Sequence, residues 1–239
     1  MTQWRVRLNG NSLSRLSELM NSPSASILVE GTEYYLISEL FATSLEIGDL
    51  NRIADDLVNK IGDAAFVQTG VLHGLTVHSI VKVHDDGTRT HSMTVNMNVT
   101  VNVEMGATRI AVNGDLVDYK LSQTLSIGRA LDAALRDPKI AETFALFSRK
   151  RDDWTQLCNV ICLVRDAIGG DVPAAWVSTA KIEALERTAQ TRETAGDTAR
   201  HANARYDPPK NPMPLNEAQR IVQQILQQWV QSSSAGSAS

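Results

Sequence analysis

The sequence predicts an α+β protein: a mostly antiparallel N-terminal β domain carrying two helices, followed by a C-terminal helical bundle. Three observations lead there. Before residue 120, apolar residues recur with a period of two at several places, the mark of half-buried strands. From roughly Leu121 the apolar spacing changes to three and four residues, the mark of amphipathic helices. The 239 residues are 43% apolar and 21% charged, an ordinary globular balance with ample material for a core. The expected division is 1–120 for the β-rich domain, 121–232 for the bundle and 233–239 for a disordered tail of Ser, Ala and Gly with nothing to bury.

In chain order, Trp4, Val6 and Leu8 alternate with Arg5 and Arg7, giving a strand that stops at Asn9-Gly10. Leu13, Leu16, Leu19 and Met20 mark a short helix ending before Pro23. Ile27 to Val29 and Tyr34 to Ile37 flank Glu30-Gly31 as a hairpin. Ile47, Leu50, Ala54, Leu57, Val58 and Ile61 form one stripe of a helix, with Gly62 expected to end it. The strongest strand signal runs from Leu75 to Met105, where every second residue from Met93 onward is apolar.

The tip of that hairpin is His84-Asp85-Asp86-Gly87-Thr88. A two-residue Asp86-Gly87 turn would set Lys82 opposite His91 and oppose polar to apolar faces. A three-residue loop with Gly87 in the left-handed conformation pairs Val81 with His91, Ser79 with Met93 and Val77 with Val95. The second register aligns the apolar faces and is preferred. It puts His91 on the apolar face and His78 and His84 on the polar one, so the three histidines cannot share an ion and no metal is expected.

The helical half is punctuated clearly. Asp137-Pro138 reads as N-cap and first residue of a helix carrying Ile140, Ala141, Phe144 and Phe147. Asp152 or Asp153 caps the next, with Trp154, Leu157, Cys158, Ile161, Val164 and Ile168 on its face and Gly169-Gly170 at its end. A third helix is expected from near Pro173, carrying Trp176, Ile182 and Leu185, then a Thr-rich extension through Gly196 toward Arg200-His201. Pro208, Pro209, Pro212 and Pro214 interrupt the helical pattern. The last helix stacks Ala218, Ile221, Val222, Ile225 and Trp229, with Gln223, Gln224, Gln227 and Gln228 mostly outside the stripe. The Pro-rich segment should pack back across the bundle, Met213 and Trp229 sealing the last helix.

Several functions are excluded or disfavoured. A net charge of −4 argues against a protein built to wrap duplex DNA, so a protein partner or self-association is expected rather than nucleic acid. The N-terminus lacks an apolar stretch after its basic residues, and no apolar run approaches the roughly 18–20 residues of a membrane span. A cytoplasmic protein is expected. There is no P-loop, dinucleotide fingerprint or nucleophile elbow, and no cofactor is expected. Cys158 and Cys162, one turn apart on a buried face, read as small packing residues. Arg149-Lys150-Arg151, followed at once by Asp152-Asp153, reads as a solvated helix junction.

Asp197, Arg200 and His201 are the candidate catalytic residues. On a helix, Asp197 could pair with either cation. An Arg-His pair beside an acid could bind phosphate and move protons. Equally, two cations near a helix C-terminus meet its dipole and the Pro-rich return. HEPN-type RNases are helical bundles with Arg and His on one helix, but their spacing would need Arg where this chain has Thr194, Ala195 or Gly196. An RNA- or phosphoester-cleaving bundle using Arg200 and His201 is therefore the alternative reading.

Residues 181–218 contain Lys181-Ile182-Glu183-Ala184-Leu185-Glu186-Arg187-Thr188-Ala189-Gln190, then Ala195-Gly196-Asp197, Arg200-His201, Pro208-Pro209-Lys210-Asn211-Pro212-Met213, and Leu215, Glu217 and Ala218. This stretch resembles the C-terminal end of an uncharacterised bacterial protein family, in which Arg-His precedes Pro-Pro-x-x-Pro-Met and a last helix ending near Trp. The resemblance covers mainly 181–229, with an echo at Trp4 and Tyr34-Tyr35. It departs at Gln190, where Asn is expected, and at Pro214, where Ser would complete a capping box with Glu217. It implies a bacterial protein and brings no activity. The expectation is a non-enzymatic cytoplasmic binding or accessory protein.

Overall fold

The structure, a computed structural model, describes residues 3–20, 22–42, 46–71, 73–92, 127–200 and 209–235. It is α+β. Strands β1 (Gln3–Asn9), β2 (Ala25–Glu30), β3 (Glu33–Ser38), β4 (Thr76–Val83) and β5 (Arg89–Ser92) form an antiparallel sheet in the order β2-β3-β1-β4-β5. Helix α1 (Leu13–Leu19) follows β1, and α2 (Ile47–Thr69) links β3 to β4. The helical region is α3 (Ile127–Arg136), α4 (Pro138–Lys150), α5 (Trp154–Ile168), α6 (Thr179–Gln190), α7 (Arg192–Ala195) and α8 (Leu215–Ala235).

The β4–β5 hairpin adopts the expected register. Val81 pairs with His91, Gly87 has φ +81°, and His84 N–H donates to Thr88 O at 2.9 Å to close the loop. The expected partners Met93 and Val95 lie outside the described residues. The facing of the hairpin differs from expectation. Val6, on central strand β1, sits opposite Leu36 and Ile80, and these three line the core side. Val81 sits opposite Arg5, and therefore points the other way, with His91 exposed beside it. The polarity of β4 is set by β1, whose Arg5 and Arg7 cannot enter the core. A register shift between Arg7 and Leu8 then returns Val77 to the inner face opposite Leu8.

The second face is a charged surface over Tyr35 and Val81, both fully buried outside the main core. Glu30 bridges Arg5 at 2.6 Å and Arg89 at 2.7 Å, and Arg7 meets Glu33 at 2.7 Å. Tyr35 Oη donates to Glu33, while the Arg89 guanidinium stands 5.8 Å over the Tyr35 ring. Arginine stems thus cover an aromatic that would otherwise meet water.

Helix α2 does not stop at Gly62. It continues to Thr69 and ends at Gly70, whose φ is +72° and whose N–H donates to Phe66 O at 2.7 Å. Ala64, Ala65, Phe66 and Val67 extend the buried stripe, and their burial outweighs the roughly 1 kcal/mol helix penalty of one glycine. The glutamines of α8 finish the job. Gln223 and Gln227 each donate Nε2 to Val67 O, at 2.9 and 3.0 Å, and Gln227 also reaches Gln68 O at 3.2 Å. They cap carbonyls that a helix end leaves without partners. Gln224 donates to Trp176 O and Gln219 to Arg151 O, so α8 reads its neighbours through amides as well as through its apolar stripe.

Asp137 and Asp153 cap α4 and α5 as expected, accepting from Lys139 N–H at 2.9 Å and Gln156 N–H at 3.1 Å. The third bundle helix begins at Thr179 rather than near Pro173. Residues 173–177 form a turn instead, with Trp176 N–H donating to Pro173 O at 2.8 Å. Helix α8 also reaches Ala235, into the expected tail, where Ser232 and Ser233 hydroxyls donate back to Trp229 O. Residues 236–239 lie outside the described residues.

The Pro-rich return is anchored as expected. Met213 N–H donates to Thr188 Oγ1 at 3.0 Å, Met213 packs on the core, and Trp229 is 3% exposed. Buried residues of the sheet layer and the helical region form one continuous cluster, from Val6 and Ile80 through Leu57 and Ile61 to Phe144, Ile161 and Val222. Among the described residues no helix is long and apolar enough to cross a membrane.

Truncating Trp229→Ala should cost about 3–5 kcal/mol and lower the melting temperature clearly. An unchanged melting temperature would make Trp229 a contact residue rather than a core one. Replacing Gln223 and Gln227 together by Ala should cost roughly 1–3 kcal/mol in urea unfolding, since the Val67 carbonyl loses both side-chain donors.

Candidate functional site

The candidate residues stand where α6 gives way to the Pro-rich return. Helix α6 ends at Gln190, α7 is a single turn, and Gly196 with φ +62° turns the chain into a 3-10 segment over Gly196–Thr198. Ala199 is extended. Asp197 and Arg200 therefore share no helix, and the i,i+3 pairing that a helix would give is not made. Asp197 takes Arg192 instead, Nη2 to Oδ1 at 2.9 Å.

Arg200 is held by its backbone and reaches elsewhere with its side chain. Its N–H donates to Ala189 O at 2.8 Å, and Thr155 Oγ1 ties Thr198 O to α5 at 3.0 Å. The Arg200 guanidinium approaches Cys162, with Nη2 3.8 Å from Sγ. His201 lies outside the described residues.

The two thiols on α5 differ in environment. Cys158 is buried, and burial pushes its thiol up to about 11, opposed by the positive charge of Arg200. Cys162 is half-buried, so only the first of the pair is the packing residue that the spacing suggested. Beside them, Arg165 Nη1 meets Glu186 Oε1 at 2.5 Å. Arg165 Nε stands 3.4 Å from Asp171 Oδ1 without the alignment of a hydrogen bond. A threonine set supports the junction: Thr194 Oγ1 donates to Thr188 O at 2.6 Å, and Thr188 Oγ1 both donates to Ala184 O and accepts from Met213.

Chemically, this is a guanidinium in contact with a half-buried thiol. Among the described residues, no group of three or more His, Cys, Asp and Glu is arranged to hold a metal. His84 and His91 fall on opposite faces of the sheet, His84 bonded to Thr90 Oγ1 at 2.9 Å.

One residue escaped the sequence reading altogether. His73, between α2 and β4, is 3% exposed, and neither ring nitrogen has a hydrogen-bond partner among the described residues. Burial holds its pKa below the usual histidine value, with Arg15 adding to the effect and the Asn11 backbone opposing it. Its carbonyl accepts from Asn11 N–H at 2.9 Å, fixing the crossing of the 10–12 and 73–75 turns. Its apolar neighbours Leu72 and Leu75 were the available hint. Asp63 on α2 shows the opposite perturbation: burial raises its pKa, while the Ser148 hydroxyl and Arg149 pull it down.

Comparison with known proteins returned no match among family models, curated proteins or solved structures.

The two perturbations act with opposite sign on stability. His73 has a folded pKa below its unfolded value of about 6.5, so the unfolded chain binds the extra proton. Its contribution is fully present above that value and falls as pH drops toward the folded pKa. Asp63, raised above its unfolded pKa, favours folding at low pH and loses that contribution as pH rises through the folded pKa. Below about pH 6.5, His73→Gln should flatten the decline in melting temperature. An identical profile in wild type and variant would contradict burial of a neutral His73.

Proposed function

We propose that this chain is a bacterial cytoplasmic binding or accessory protein that acts through a protein partner or self-association rather than by catalysis. One observation carries this reading: the described candidate groups are committed to structural contacts. Asp197 pairs with Arg192, and Arg200 joins the turn to α6 through Ala189 O and to α5 through Cys162 Sγ. A phosphoester-cleaving site of the kind considered would need the acid and the cation within reach of one substrate position. The acid and the cation here are drawn to different partners. The negative net charge supports a protein partner over nucleic acid.

Two measurements test this. Purified protein incubated with single-stranded RNA should cleave nothing. Positioned acid–base groups contribute about 10²–10⁴ in rate, so a real activity would be plain. Reproducible cleavage that disappears in folded Arg200→Ala and His201→Ala variants would establish the alternative, an RNA- or phosphoester-cleaving bundle. Affinity capture from the native host should recover a defined protein, or further copies of this chain, that rebinds purified protein at micromolar concentration or tighter. A chain that stays monomeric and rebinds nothing would contradict the binding role.

A further inference from the structure

We propose that the crossing of the 10–12 and 73–75 turns is an acid-released latch, in which a proton on the His73 ring parts the start of α1 from the 73–75 turn while the rest of the fold stays closed. Two independent observations meet there. His73 is 3% exposed, and neither ring nitrogen has a hydrogen-bond partner among the described residues. Buried polar groups are nearly always paired, so an unpaired one calls for a cause. In the other turn, Ser12 is the one non-glycine with positive φ among the described residues, at +59°. It stands at the N-terminus of α1, yet its side chain makes no capping hydrogen bond there. A left-handed serine keeps strain that only the surrounding contacts hold in place.

The closed latch is a backbone contact. Asn11 N–H donates to His73 O at 2.9 Å, and a Cβ at Gly10 would stand 3.1 Å from that same oxygen. The surroundings of the ring oppose a charge on it. Burial is the largest penalty, and Arg15 of α1 adds to it as a like charge. The Asn11 backbone favours the charged ring, but no ring nitrogen is aligned on it for a hydrogen bond. Glu18, the acid of α1, does not act on the ring. Gly10, Asn11 and Ser12 carry no charge, nor do Phe66 to Thr69 at the end of α2 or Gly74 to Val77. His78, the next titratable group along β4, is exposed. No carboxylate on these elements compensates a proton on His73.

Opening returns the ring to water, where histidine takes its proton near its ordinary pKa of about 6.5. The closed form binds that proton less readily. Opening is therefore favoured as pH falls through about 6.5, by up to tenfold per unit, until the closed ring titrates as well. Opening also lets Ser12 leave its left-handed conformation. Acid and strain thus pull the same two turns apart.

Amide hydrogen exchange on the full-length protein tests the latch. At neutral pH the Asn11 amide should be less protected than that of Ile161 on α5. Low urea should leave Asn11 protection unchanged while lowering that of Ile161, the mark of an opening that exposes little surface. From about pH 6.5 to about 5, Asn11 protection, corrected for the intrinsic pH dependence of exchange, should fall by up to tenfold per unit. His73→Leu, which fills the same place without titrating, should remove that fall. If this variant does not fold, His73→Gln takes its place, and the wild-type comparison of Asn11 with Ile161 decides by itself. Asn11 protection that is flat with pH in wild type, that matches Ile161 in size and urea response, or that still falls in a folded His73 variant would overturn the proposal.

Discussion

The structure depends on the burial of α2. This one helix carries Leu50, Ala54, Leu57, Val58, Ile61, Ala64, Ala65, Phe66 and Val67 into the core, and it packs on β4, α3, α4 and α8. Its last turn is where layers meet. Phe66 lies 5.4 Å from the Phe147 ring of α4, and Arg151 stands 4.9 Å over Phe66. Two glutamines of α8 close the Val67 carbonyl. Had α2 stopped at Gly62, those contacts would be lost and the sheet would have no apolar bridge to α8.

That bridge separates what could be read from the chain from what could not. Local rules placed Asp137, Pro138 and Asp153 at helix starts, and loop chemistry fixed the Val81–His91 register. Both depend on residues within a few positions of each other. The facing of β4 was not local, because Arg5 and Arg7 on β1 decide which side of β4 is inward. The end of α2 was misjudged for the same reason. Gly62 is a stop in isolation, yet the last turns beyond it are held by distant elements: Phe66 packs on Phe147 of α4, and Gln223 of α8, 156 positions away, bonds Val67 O. Gln223 and Gln227 fall outside the apolar stripe, but they are structural donors and not merely solvated.

The candidate site follows the same division. Spacing singled out Asp197, Arg200 and His201, and it assumed a helix that Gly196 breaks. Once the chain turns there, Asp197 meets Arg192 and Arg200 meets a cysteine 38 positions earlier. Neither partner can be inferred from a short window. The thiol environment, in which one cysteine is sealed and its neighbour faces a cation, emerges only from the packing of α5 against α6 and the turn.

The central claim is that α2 makes the sheet layer and the helical region share one core. Amide hydrogen exchange on wild type and Leu57→Ala tests it most directly, since truncating a buried leucine costs about 2–5 kcal/mol. If the core is shared, the most protected amides of β1 and of α5 should lose the same free energy of exchange, because both open only in global unfolding. A loss confined to β1, with α5 protection unchanged, would contradict the account.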